Sequence, residues 1–247
     1  MLAGYGGGEK GAREAARRGA AVVVVDTYRA STTIAVLVNH GARVVPVASI
    51  EEAGLYPADF RIGERGSAKV QGFDFGNSPT EVEAARIPAG STVVLSSTNG
   101  TRIVEAAHGS PAVFIGAFVN AGAVADELLK TASSDSRVMV VGCGWRGRRS
   151  SEDESAAGEI LTRLRRGGAK LDERAERIAR EHRERPKKAL LNNTAARRLK
   201  RLGYERDLDF CLAPDTVPVA PRLVEGAFVW PASPATEPHP GTSSPPP

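Results

Sequence analysis

The chain has 247 residues, of which 41% are apolar and 25% charged, and its formal net charge is +4. That is enough chain to bury a sizeable core, with the composition of an ordinary globular protein. No apolar run approaches the ~20 residues of a membrane helix, Met1–Gly8 has no apolar stretch of the secretory kind, and two cysteines without a CxxC beside four scattered histidines exclude a zinc ribbon, a disulfide scaffold and an HExxH site. A reducing cytoplasm is the expected location.

In chain order, residues 1–20 are Gly-rich at the start and are expected to be a poorly defined beginning of the fold. Ala21–Asp26 is a β-branched apolar run of strand length, followed by a helix from about Ser31 to His40. Arg43–Val47 is a second strand. Ser49 then opens a helix with Glu51 and Glu52 in its first turn, where they suit the helix dipole. Ser91–Ser96 is a strand, Asn99-Gly100 follows, and a helix runs to His108. Ala112–Gly116 is a strand, then a helix from Asn120 to Lys130. Arg137–Gly142 is a strand, a Gly/Arg loop follows, and a helix begins near Glu152. Between Leu161 and Arg201 stand 15 Lys or Arg against 5 Asp or Glu, a local balance of +10; the remaining 18 basic and 24 acidic residues leave the rest of the chain at −6. This basic segment reads as two or three helices broken at Gly167-Gly168 and at Pro186. Asp207–Phe210, Thr216–Val219 and Gly226–Trp230 read as late strands or extended pieces. Residues 231–247 are a Pro/Ser-rich tail, expected to be disordered. The alternation of strands and helices predicts one α/β domain over 21–230 with a mostly parallel central sheet.

In open α/β sheets ligands bind beyond the C-terminal ends of the strands, so the residues after each strand carry the functional argument. After the first come Asp26, Arg29, Ser31, Thr32 and Thr33: a carboxylate, a fork-shaped cation and hydroxyls at a helix N-terminus, a set suited to an oxyanion. Gly63-Glu64-Arg65-Gly66 comes next, then Gly72-Phe73-Asp74-Phe75-Gly76-Asn77-Ser78-Pro79, which is a loop by composition. Ser78 and Pro79 read equally well as an N-cap and first helical residue, and Glu64-Arg65 as a surface ion pair. Ser97-Thr98-Asn99-Gly100-Thr101 joins a buried strand to a helix and can converge on an oxyanion. Cys143 to Arg149 has the C-x5-R spacing of a cysteine phosphatase, but no His precedes Cys143 and the glycine is out of place. Glu152-Asp153 are either helix N-terminal acids or ligands of Mg²⁺. Together these strand ends form the inventory for a small phosphorylated polyanion with a divalent cation. The G-x4-GK[ST] loop is missing, as are a G-x-G-x-x-G after the first strand and a D-x-D following a strand, which argues against NTP hydrolysis, a nicotinamide site and an aspartyl-phosphate intermediate.

Asp26…Arg29-Ala30-Ser31-Thr32-Thr33, Gly63-Glu64-Arg65-Gly66, Gly72-Phe73-Asp74…Gly76-Asn77-Ser78-Pro79, Thr98-Asn99-Gly100-Thr101 and Glu152-Asp153…Ala157-Gly158, in that order, resemble the 2-phosphosulfolactate phosphatase (ComB-like) family. Asp207-Leu208-Asp209-Phe210-Cys211 and Val217-Pro218 are similar to its C-terminal pattern. The resemblance spans about Ala21 to Pro218. It implies a three-layer α/β/α fold and a Mg²⁺-dependent phosphatase converting 2-phospho-3-sulfolactate to sulfolactate and phosphate, a step associated with coenzyme M biosynthesis. Such a substrate carries phosphate, sulfonate and carboxylate, which accounts for the surplus of anion ligands. The loop Gly142-Cys143-Gly144 departs from the family, which more often has its cysteine one residue earlier, so Cys143 takes no role.

On this reading Asp26, Glu152 and Asp153 hold Mg²⁺, and Glu64 is the general base. Arg29, Ser31, Thr32, Asn99 and Thr101 cradle the phosphoryl oxygens, while Arg65, Asn77 and Ser78 take the carboxylate or sulfonate. Two other readings stay open: a phosphatase of the same fold acting on another phosphorylated acid, and a non-catalytic protein using the basic segment 161–201 to bind nucleic acid or an acidic partner. Against the latter, Glu/Arg interleaving from Asp172 to Arg185 suits a solvated helix with i,i+4 ion pairs, and no aromatic residue between Leu161 and Gly203 could stack on a base.

Overall fold

Val22–Val25 is a continuous β-branched run buried on both faces, the pattern of a central parallel strand rather than of an exposed edge. Around it the chain builds its sheet. A computed structural model describes residues 1–145 and 147–230. Its strands are β1 Leu2–Gly7, β2 Ala21–Val25, β3 Arg43–Pro46, β4 Phe60–Arg65, β5 Ala68–Lys69, β6 Thr92–Ser96, β7 Val113–Gly116, β8 Arg137–Gly142, β9 Lys170–Leu171, β10 Arg222–Val224 and β11 Ala227–Val229. Its helices are α1 Gly8–Arg17, α2 Ala30–Asn39, α3 Ile50–Leu55, α4 Pro79–Ala85, α5 Gly100–Ala106, α6 Ala121–Thr131, α7 Ser151–Arg166, α8 Glu173–Glu184, α9 Lys187–Leu190, α10 Thr194–Arg201 and α11 Glu205–Cys211.

The strand order is β5-β4-β6-β3-β11-β10-β7-β2-β8-β1-β9. Two parallel groups, β4-β6-β3 and β7-β2-β8-β1-β9, are joined by the antiparallel β10–β11 hairpin. Side-chain alternation then makes three layers. Val22 and Val24 face a core shared with Ala12, Leu37 and Ile103, from α1, α2 and α5. Val23 and Val25 face the other core with Leu128, Ile160 and Ile178, from α6, α7 and α8. The expected α/β/α architecture with a mostly parallel mixed sheet is therefore the observed one. Among the described residues no helix is long and apolar enough to cross a membrane.

Three local expectations differ from the structure. Residues 1–20, expected to be poorly defined, are β1 and α1, integral to the sheet. Their glycines are packing devices: a Cβ on Gly6 would stand 3.0 Å from the Gly11 Cα, so the missing side chains let α1 press on β1. Gly63 and Glu64 lie in β4, with Gly63 opposite Ser96. Asp207–Phe210, read as extended, lies in α11, where Asp207, Leu208 and Cys211 are the buried positions. That i, i+1, i+4 spacing is helical; the Asp-Leu-Asp-Phe alternation imitated a strand. Thr216–Val219, read as a strand or extended piece, forms no strand: it bends at Thr216 and Val217, the Val217 N–H donates to the Val119 carbonyl at 2.9 Å and the Val219 N–H to the Val217 carbonyl at 2.8 Å. The basic segment breaks at Gly167 and Pro186 as expected. The tail 231–247 lies outside the described residues.

α7 and α8 approach closely at Gly158, where an added Cβ would sit 2.4 Å from the Cβ of His182 and 2.8 Å from the Ile178 carbonyl oxygen. Gly158→Ala is therefore expected to destabilise by about 1–3 kcal/mol through overpacking, although alanine is the better helix former by about 1 kcal/mol. Denaturant unfolding measures the sign, and a gain in stability would contradict the close approach.

Candidate active site

Strand ends of the two parallel groups meet: the Thr98 N–H after β6 donates to Glu64 of β4 at 2.6 Å, and a Cβ on Gly100 would stand 3.2 Å from Asp26 Oδ2. Asp26 directly follows β2, Asn99 is the N-cap of α5, and Glu152 and Asp153 lie in the first turn of α7. These four, with Tyr28, Gly144, Trp145, Arg148, the residues 149–151 and the start of α10, line a cleft of about 460 Å³. A larger depression of about 880 Å³ around Pro46, Val104 and His108 contains none of the strand-end carboxylates.

The cleft holds more negative charge than burial favours. Asp26 has its carboxyl pushed up to about 7, first by burial and then by repulsion from Glu64, with Glu152 acting in the same sense; a backbone hydrogen bond from Ala30 and the Arg29 charge oppose the shift. Asp153 is raised well above the usual carboxylate range, first by burial and then by Glu152 and Asp26. Its Oδ1 accepts from the Thr27 N–H at 2.8 Å and its Oδ2 from the Gly144 N–H at 2.9 Å, tying the ends of β2 and β8 together. Glu152 Oε2 accepts from Asn193 Nδ2 at 2.7 Å. Glu64 is 6% exposed and does not line the cleft: its Oε2 accepts from the Ser67 N–H at 2.7 Å and its Oε1 from the Thr98 N–H at 2.6 Å. It braces the β4–β5 turn against the loop after β6, and its charge acts on Asp26.

Among the described residues no group of three or more His, Cys, Asp or Glu side chains forms a ready metal cage. Asp153 has both oxygens engaged by backbone N–H groups, which leaves Asp26 and Glu152 as the carboxylates facing the cleft. Hard oxygen donors on two crowded carboxylates fit Mg²⁺, which is held by one or two carboxylates with water and substrate phosphate rather than by an all-protein cage.

Several residues expected to touch substrate are committed elsewhere. Arg29 is 2% exposed; its Nη1 donates to Asp207 Oδ2 at 2.7 Å, its Nη2 to the Ser67 carbonyl at 2.7 Å, and its guanidinium lies 4.2 Å from the Tyr204 ring centroid. Ser31 Oγ accepts from the Asp26 N–H at 2.8 Å and donates to the Val24 carbonyl at 3.1 Å; Thr32 Oγ1 donates to the Thr27 carbonyl at 3.1 Å. Thr101 Oγ1 donates to the Ser97 carbonyl at 3.1 Å. Ser78 is the N-cap of α4 with Pro79 following, accepting from the Glu81 N–H at 3.3 Å and donating to Asp207 Oδ1 at 2.8 Å. Buried hydroxyls beside a helix start satisfy the turn's own backbone groups before they satisfy a ligand. Asn77 is buried away from the cleft, and its Oδ1 has no partner among the described residues. Arg65 is exposed and donates to its neighbour's carbonyl and to Ser96 Oγ, so it forms no ion pair with the Glu64 carboxylate. Of the expected ligands of the anion, Asn99 alone lines the cleft. Cys143 is buried with its thiol pushed up by burial, the opposite of an activated nucleophile.

Two contributions were missed. Asp207 is fully buried and accepts from Arg29, Ser78 and Thr80, the Thr80 hydroxyl at 2.5 Å. Its signals were its place in the C-terminal pattern similar to the family's and a buried helical period under the apparent alternation. The other is the basic segment itself, since Asn193, Thr194, Ala195 and Arg198 wall the cleft. Local charge counts cannot show where a helix docks.

Residues 9–226 match the family model described as 2-phosphosulpholactate phosphatase. A protein of Thermotoga petrophila is 37% identical over 214 residues, covering 84% of this chain and 90% of the relative. One from Gloeobacter violaceus is 40% identical over 209 residues, covering 81% and 86%. A third, from Carboxydothermus hydrogenoformans, is 38% identical over 220 residues, covering 85% and 89%. Each is named "Probable 2-phosphosulfolactate phosphatase".

Proposed function

The chain belongs to the 2-phosphosulpholactate phosphatase family, whose members are named as phosphoric monoester hydrolases, and from that premise we propose that it hydrolyses 2-phosphosulfolactate to sulfolactate and phosphate with Mg²⁺ as its cofactor, in the cytoplasm. Water forms the new bond to phosphorus, and the bond from phosphorus to the C2 oxygen breaks. The observation that carries this reading is the cleft itself. Asp26 and Glu152, two carboxylates held close together at strand and helix ends, share about 460 Å³ with Asn99 and Arg198.

Asp26 and Glu152 would hold the ion. A bound Mg²⁺ supplies positive charge against the phosphoryl oxygens and acidifies nearby water. The chain's own residues do the rest. Asp153 stays fixed by two backbone N–H groups and keeps the cleft's floor rigid. Asn193 orients the Glu152 carboxylate through its 2.7 Å hydrogen bond. Glu64 takes a role different from the expected general base: it positions the β4–β5 turn and raises the proton affinity of Asp26. Asn99 faces the phosphoryl group from the N-cap of α5. Repulsion among the acids supports the cofactor, because a divalent cation relieves it.

Chelation tests the cofactor. Phosphate release is expected to fall by at least about tenfold in EDTA and to return on adding Mg²⁺; undiminished turnover in EDTA would remove the metal from the reading. Against the nucleic-acid alternative stand three paired arginines of the basic segment: Arg165 with Glu176 at 3.0 Å, Arg177 with Glu181 at 3.7 Å and Arg185 with Glu181 at 3.8 Å.

A further inference from the structure

The turn from β1 into α1 is bare of side chains. Gly6, Gly7 and Gly8 run through it, and Gly8 has a φ of 58° with nothing within 4 Å of where a Cβ would stand. Gly7 is the N-cap of α1, and no side chain caps that helix. The first N–H groups of an α-helix have no partner within it and carry the positive end of its dipole. Gly7 and Gly8 line a separate cavity of about 220 Å³. It shares Gly144, Arg148, Arg149, Ser150 and Asp153 with the cleft, but Asp26, Asn99 and Glu152 do not line it.

A second donor faces the same cavity. Tyr5 is 6% exposed and lines it. Its hydroxyl lies 2.6 Å from where a Cβ on Gly142 would stand, at the end of β8, and makes no hydrogen bond among the described residues. Burial, then Glu154 and Asp153, push the phenol above its ordinary range against Arg174 and Arg149, so it keeps its proton as a donor. A buried donor without an acceptor is costly unless a ligand or water completes it. The cation is Arg174, in the first turn of α8, where the helix dipole favours acids. Among the described residues it forms no ion pair. Its guanidinium carbon lies 5.1 Å from the Tyr5 ring centroid, and its Nη2 is 3.7 Å from where a Cβ on Gly7 would stand. The carboxylate lining the cavity, Asp153, already accepts from the Thr27 and Gly144 N–H groups, and Arg149 is engaged by Glu154.

We propose that the β1–α1 turn, with the Tyr5 hydroxyl and the Arg174 guanidinium, is a second anion site that binds a free tetrahedral oxyanion, phosphate or sulfate, beside the cleft. Backbone N–H groups, a phenol and a guanidinium come from three elements, β1, α1 and α8, which suits an ion whose oxygens point in several directions. The glycines let it approach the backbone. The cavity is smaller than the cleft, about 220 against about 460 Å³, which suits an inorganic ion rather than an ester. The site does not depend on the phosphatase reading above.

Hydrogen exchange of the Gly8, Glu9 and Lys10 amides, followed with Mg²⁺ present, tests this. Adding inorganic phosphate is expected to slow it by at least about fivefold in the wild type. R174M keeps the stem and removes the charge; it should need about 10- to 100-fold more phosphate for the same protection, the worth of a charge-assisted hydrogen bond. Y5F, which removes one neutral donor, should need about 3- to 10-fold more. R174K, which keeps the charge without the planar fork, should fall between the wild type and R174M, and it carries the comparison if Y5F does not fold. KM for 2-phosphosulfolactate should stay within about twofold in all three variants. No protection in the wild type, or the same phosphate dependence in the wild type and the variants, would overturn the proposal. So would a KM that rises as phosphate protection is lost, because the cavity would then belong to the ester. Protection in a wild type that releases phosphate from no ester would instead overturn the phosphatase reading and leave the oxyanion site standing.

Discussion

Asp207→Ala is expected to lower the unfolding free energy by about 3–5 kcal/mol, the loss that follows when one partner of a buried ion pair is removed. Asp207 is fully buried, and Arg29, its partner at 2.7 Å, is 2% exposed. Its other oxygen accepts from the Ser78 hydroxyl at 2.8 Å and from the Thr80 N–H and hydroxyl at 3.3 and 2.5 Å. Three elements meet on this one carboxylate: α11 supplies it, α2 starts at Arg29, and α4 starts at Ser78. Truncation leaves a buried cation and the α4 donors without their acceptor. Denaturant unfolding gives the number, and a loss under about 1 kcal/mol would mean that water reaches Arg29. The double variant Arg29→Met with Asp207→Leu should be less damaging than the single changes added together, since no charge is then stranded.

Asp26→Asn is expected to reduce kcat/KM by about 10²- to 10⁴-fold, the usual worth of a group that moves a proton or orients the reacting water. The same change should leave stability equal or higher. Asp26 is repelled by Glu64 and Glu152, and an amide of the same shape removes that repulsion while keeping the volume. Loss of activity with gain of stability is the signature of a residue retained for function at some cost to the fold. Phosphate release measured beside a thermal melt separates the two effects. Full activity in the asparagine variant would displace Asp26 from the centre of the site, and a large fall in melting temperature would make it a structural residue.

The candidate site was legible in part, and the division follows from the kind of interaction involved. Asp26, Asn99, Glu152 and Asp153 were visible because their place depends on short-range pattern. Each follows a strand or opens a helix, and within each parallel group such positions gather at the C-terminal ends of the strands. Ser31, Thr32, Ser78 and Thr101 come from the same positions yet turn inward. Nothing local distinguishes a hydroxyl that faces a ligand from one that closes its own turn, because the competing acceptor is a backbone carbonyl within a few residues.

The sequence by itself determined the alternation of strands and helices, the three-layer class, and the carboxylates at the strand ends, all of which depend on periodicity and on neighbours along the chain. Only the tertiary structure decided which charges meet. It brought Arg29 to Asp207, 178 positions away, and so removed the most conspicuous anion ligand from the cleft. It also laid α10 across the strand ends, so that the basic segment, solvated along most of its length, contributes Asn193 and Arg198 to the site. Charge composition is a sum over a segment and carries no direction. The direction comes from the folded path through α8 and α9, where buried Ile178 and Leu190 anchor the segment to the core.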